Sequence, residues 1–136
     1  MASSKPRTLV VFFSRDGHTR RIAKMLAERL KADVEELHAL QSREGPIGYA
    51  QSALEALAAL APAIEPPQHD GSGHDLVVIG SPVWAWSLSS PVRTWLLRAE
   101  LQHARVAFFC TMGGAGAHRV FDTMAELAGK KPVAEP

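Results

Sequence analysis

Three stretches of this chain are apolar without alternation: Leu9-Val10-Val11-Phe12-Phe13, the core of Asp75–Gly80, and the core of Arg105–Cys110. A strand that buries one face alternates apolar and polar residues, whereas a strand covered on both faces does not. The three runs therefore predict central strands of a parallel sheet. Behind the first run the period turns helical: Ile22, Leu26 and Leu30 recur every four residues with Ala23 and Ala27 beside them. Arg20, Arg21, Lys24, Glu28 and Arg29 take the other faces. Asp33–Leu37 predicts a short second strand and Gln41–Gly48 a turn. Tyr49–Ala63 predicts an Ala-rich helix with Leu54, Leu57, Leu60 and Ile64 as its apolar stripe. Pro62, Pro66, Pro67 and Asp70-Gly71-Ser72-Gly73 form a loop into the next strand. The βα alternation runs across that loop, so residues 1–136 read as a single α/β domain without repeats or heptads.

The chemistry concentrates where strands end. Ser14-Arg15-Asp16-Gly17-His18-Thr19 joins the first strand to the first helix, where unpaired amides and the positive end of the helix dipole favour an anion. Ser14 and Thr19 add hydroxyls, and Gly17 permits a positive φ or close backbone approach. The loop lacks the Lys of a Walker sequence and the three glycines of a dinucleotide fingerprint. A single terminal phosphomonoester remains, with a capped strand-to-helix turn as the alternative. The second junction, Ser81-Pro82-Val83-Trp84-Ala85-Trp86-Ser87, holds two of the three Trp residues. Large rings in a loop cover something flat, or else pack on a neighbouring helix. The third, Thr111-Met112-Gly113-Gly114-Ala115-Gly116, is glycine-rich, which lets backbone approach a planar ligand. Open α/β sheets bind ligands outside the carboxyl ends of their strands, where these loops converge.

On these residues the chain resembles the flavodoxin-like family. Ser14 to Thr19 is similar to that family's Ser/Thr-x-x-Gly-x-Thr phosphate loop, Gly80-Ser81-Pro82-Val83-Trp84 to its aromatic loop, and Thr111-Met112-Gly113-Gly114 to its third loop. The resemblance spans nearly the whole chain and is closest to short bacterial flavodoxin-family proteins. It implies a doubly wound α/β fold with a parallel sheet in the order 2-1-3-4 and non-covalently bound FMN. It places Ser14, Arg15, Asp16, Gly17, His18 and Thr19 around the FMN phosphate. Ser81, Pro82, Val83, Trp84, Ala85 and Trp86, with Thr111, Met112, Gly113, Gly114 and Gly116, would clasp the isoalloxazine ring. Trp84 is the favoured ring contact.

Composition narrows the picture. With 46% hydrophobic residues, a chain of 136 can bury an adequate core without disulfides or metal. A lone cysteine, Cys110, points to a reducing, cytoplasmic setting and a small core residue. Neither a transmembrane run nor a signal peptide is visible, and a net charge of +1 implies no nucleic-acid or membrane partner. Six histidines (18, 38, 69, 74, 103 and 118) form no close ligand pair, so no metal site is expected and most are expected to be solvated. His118, beside the third loop, is the candidate proton donor. Gly80-Ser81-Pro82-Val83-Trp84 lacks the second glycine of a hydrolase elbow.

Three functions stay open. The first is electron transfer through bound flavin. The second is an NAD(P)H-dependent quinone or FMN reductase working by a ping-pong mechanism. The third is a nucleotide- or phosphate-binding module without redox chemistry. The chain departs from the family at its end, where Gly129–Pro136 leaves room for a strand stub at most in place of a fifth strand and closing helix. That loss predicts an unpaired edge on the last strand and an uncovered patch on the face of the first helix. A homo-oligomer or a partner segment would cover that side.

Overall fold

The computed structural model describes residues 7–15, 17–38, 50, 64–84, 87–111 and 117–133, with backbone alone at 84 and 87. Strand β1 (Thr8–Phe13) is buried at every position. It lies between β2 (Asp33–Leu37) and β3 (Leu76–Trp84), parallel to both, with Val10 opposite Val34 on one side and Val78 on the other. Strand β5 (Arg105–Thr111) pairs in parallel with the far side of β3, so the four parallel strands run β2-β1-β3-β5. In chain order this is the expected 2-1-3-4.

Both faces of the sheet are covered, which is why the strands show no alternation. Leu9, Val11, Phe13, Val77, Ile79, Val106 and Phe108 pack into the larger core with α2 (Ser90–Arg98) and α3 (Ala117–Ala128). Phe108 stacks on Phe121 of α3 with ring centres 6.4 Å apart. On the other face Val10, Phe12, Val78 and Phe109 meet α1 (His18–Leu30). The buried line of α1 is Thr19, Ala23 and Ala27, while Ile22 and Leu26 flank it and Leu30 is exposed. Small side chains let the helix lie close to the sheet, so its buried stripe is rotated from the one the leucines suggest.

Two expectations change and one holds. The second loop is a hairpin: β3 continues to Trp84 and pairs antiparallel with the two-residue β4 (Ser87–Leu88), placing Val83 opposite Leu88. As expected, β5 is an edge of the sheet, pairing among the described residues only with β3; one bond reaches its outer side, from the Val133 amide to the Val106 carbonyl at 2.7 Å. Lys130 Nζ also donates to the carbonyls of Leu101 (2.6 Å) and Ala104 (2.5 Å), fastening the segment after α3 below that strand. The patch beside α1 is closed by an aromatic ring. Phe109 lies across its register partner Gly80 so tightly that a Cβ there would collide with the ring. Phe109 is 5% exposed and Val78 6%. The helix expected over 49–63 and the turn before it fall outside the described residues, apart from Ala50. Ile64 is buried with the larger core, in an isolated bridge beside the end of β2.

Candidate functional site

The parallel register brings the ends of β1, β3 and β5 level. Phe12 lies opposite Gly80, and Pro82 lies opposite Thr111, so Ser14, the β3–β4 hairpin and Thr111 gather at one end of the sheet. Ser14 is buried, and its Oγ accepts the Gly17 amide at 2.9 Å. That bond closes the loop and leaves the Ser14 hydroxyl proton to donate elsewhere. Gly17 caps α1 with φ 99°, a left-handed conformation that a β-branched residue resists. The first helical bond runs from Arg21 to the Gly17 carbonyl at 3.0 Å, so the amides before it lie at the open end of the helix. Thr19 is 1% exposed, and its hydroxyl sits 2.7 Å from that of Thr111.

Sequence reasoning missed Arg20. Its Nε and Nη2 grip Glu36 of β2 at 2.9 and 2.6 Å, while Nη1 lies 3.7 Å from where a Cβ on Gly17 would be. The hydrogen bonds and charge of Glu36 raise the Arg20 pKa further above its ordinary value. A signal for it existed: the first turn of α1 has no acidic residue, and Arg20 and Arg21 set positive charge against the positive end of the dipole. An anion at that end relieves the conflict. The donor set therefore suits a phosphomonoester, with two hydroxyls, open-end amides, a glycine without Cβ and one guanidinium edge.

The second loop divides. Ser81 is fully buried and its hydroxyl holds the hairpin base, donating to the Pro82 carbonyl at 2.8 Å and lying 2.7 Å from the Ser89 hydroxyl. Pro82 and Val83 are partly buried at the rim of the sheet. Ala85 and Trp86 fall outside the described residues, as do Asp16, Met112, Gly113, Gly114 and Gly116. Arg15 is half-buried beside Ser14. His18 opens α1, and His118 sits in the first turn of α3; both are exposed. Cys110 is only partly buried, facing the larger core.

Two of the six histidines pair with carboxylates, one buried and one partly exposed. His74, at 3% side-chain exposure, bonds Asp33 through Nε2 at 2.9 Å, and His69 Nδ1 lies 2.8 Å from Glu35. Both belong to the amino end of the sheet, as does a pocket of about 180 Å³ lined by Gly71 to His74 and by Glu100 and Gln102 to Ala104. Among the described residues no group of His, Cys, Asp or Glu could hold a metal. None of the described helices is long and apolar enough to cross a membrane.

The flavodoxin family model matches residues 7–133. This chain belongs to the flavodoxin family. Among solved structures, it is 25% identical to a Lactobacillus acidophilus flavoprotein in complex with FMN, with a TM-score of 0.82 over 96% of this chain and 91% of that one. A Bacteroides uniformis protein shares the fold at 20% identity and a TM-score of 0.85, over 97% of this chain and 89% of the other. No curated protein matches the sequence.

Proposed function

We propose that this flavodoxin-family chain binds FMN non-covalently at the carboxyl end of its sheet and serves in electron transfer through it. One observation carries the reading: the open end of α1 is framed by Ser14, Thr19 and a bare Gly17, with basic rather than acidic side chains in its first turn. The similar Lactobacillus acidophilus flavoprotein, described in complex with FMN, supports the choice of ligand. Bound flavin supplies reversible one- and two-electron transfer. The protein's share is binding and access. The Ser14 and Thr19 hydroxyls donate to phosphate oxygens, Gly17 lets the backbone approach them, and Arg20 adds positive charge at the rim. The β3–β4 hairpin, carrying Trp84 and Trp86, and the segment after Thr111 would flank the ring.

Titration with FMN tests this directly, since binding quenches flavin fluorescence and shifts its absorbance. Micromolar or tighter binding is expected. Its absence would favour a phosphate-binding module without redox chemistry. Anaerobic addition of NAD(P)H to the loaded protein then separates two roles. A carrier stays oxidised until a redox partner protein is added, whereas a reductase bleaches and turns over with quinone.

A further inference from the structure

Thr19 and Thr111 are 92 residues apart in sequence, yet their hydroxyl oxygens stand 2.7 Å from each other. One lies in the first turn of α1; the other is the last residue of β5. A hydroxyl carries one proton and two lone pairs, so each of the two can donate only once. If Thr19 donates to Thr111, it turns lone pairs toward the cradle. A phosphate dianion accepts hydrogen bonds and donates none. Only one proton order therefore serves such a ligand: Thr111 donates to Thr19, and Thr19 donates outward.

We propose that Thr111 is a positioning residue for phosphate recognition, holding the buried Thr19 hydroxyl so that its single proton points into the cradle formed with Ser14 and Gly17. The proposal rests on the FMN-binding reading above. It moves Thr111 from the ring contacts, where the resemblance placed it, to the phosphate end of the ligand. Aligned hydroxyls polarise each other, so the outer bond is stronger than one from an isolated threonine. The pair also ties the phosphate cradle to the start of the glycine-rich segment, which leaves β5 at Thr111.

Riboflavin, which lacks the phosphate, separates this role from a general one. FMN and riboflavin are titrated by fluorescence against the parent, Thr111→Val, Thr111→Ser, Thr19→Val and the double variant Thr19→Val with Thr111→Val. Thr111→Val is expected to weaken FMN about five- to tenfold, several times more than it weakens riboflavin. Thr111→Ser keeps FMN binding within about twofold of the parent, and in a Thr19→Val background removing the Thr111 hydroxyl costs nothing further. If Thr111→Val does not fold, Thr111→Ala against Thr111→Ser makes the same comparison. Equal weakening of both flavins, an unaltered FMN affinity, or a serine variant as weak as the valine one overturns the proposal. A parent that binds FMN no better than riboflavin overturns the phosphate cradle itself, and the proposal with it.

Discussion

At the amino end of the sheet, Asp33 accepts from His74 at 2.9 Å and from Arg7 at 3.4 Å, and Asp75 accepts the Arg7 amide at 2.8 Å. Buried Glu35 takes the amides of Gln68 and His69 at 3.0 and 2.7 Å, while the Trp95 indole donates to the His69 carbonyl at 2.9 Å. Donors and acceptors there belong to the same chain and answer each other. The exception is Nδ1 of His74, which is buried without a partner among the described residues. At the carboxyl end the balance is different. Ser14 keeps a proton for an outside acceptor, Thr19 keeps one in the proton order proposed above, and Arg20 spends one edge on Glu36 while the other faces Gly17. The same residue types are structural where they satisfy one another. They mark a site where donors outnumber the protein's acceptors.

The largest test of this contrast is Gly17→Val. A β-branched residue at φ 99° costs about 1–3 kcal/mol of backbone strain and crowds the approach to the cradle. FMN affinity should fall by more than about tenfold. Asp33→Asn, at the opposite end, should lower stability while leaving the FMN dissociation constant within about twofold of the parent. If the two substitutions weaken FMN alike, the ends are not separate in function.

The sequence revealed the carboxyl end better than the amino end, and the reason is distance along the chain. Strand, turn and helix follow each other within Leu9 to Thr19, so the cradle is a local pattern. The three buried strands were equally plain, because apolar runs without alternation need cover on both faces. His69 and His74 find their carboxylates 34 and 41 residues away, and no local spacing announces such pairs. The hairpin was hidden by Pro82, which reads as a strand breaker but lies at the rim of the sheet opposite the last residue of β5, where the ladder ends. Thr111 read as part of a glycine loop until the fold set it against Thr19.

Arg20 and Glu36 offer a smaller effect with opposite signs. Glu36 holds two guanidinium nitrogens, so it competes with any phosphate for the same cation. Glu36→Gln should tighten FMN about two- to fivefold at low ionic strength, and Arg20→Gln should weaken it by a similar factor. Both effects should shrink in about 1 M salt, where screening acts over ~3 Å, and riboflavin should respond to neither. Tightening of riboflavin by Glu36→Gln would mean that the pair shapes the loop rather than its charge.

The smallest effect belongs to the amino end and appears in acid. The hydrogen bond from His74 holds the Asp33 carboxyl below its ordinary range against the opposing effect of burial, with lesser help from the His74 charge and from Arg7. A carboxylate with a depressed folded-state pKa stabilises the fold above its unfolded value of about 4, and the contribution disappears as pH falls through the lower folded value. Asp33 is nearly half exposed, so solvent screening keeps the contribution small. Urea unfolding from about pH 6 to pH 2 should therefore show the parent losing slightly more stability than Asp33→Asn, with the two curves converging at the acid end. Parallel curves across that range would mean that the His74–Asp33 contact orders the strand ends without storing charge energy, and the amino end would then owe its stability to packing around Trp95 and Leu101 instead.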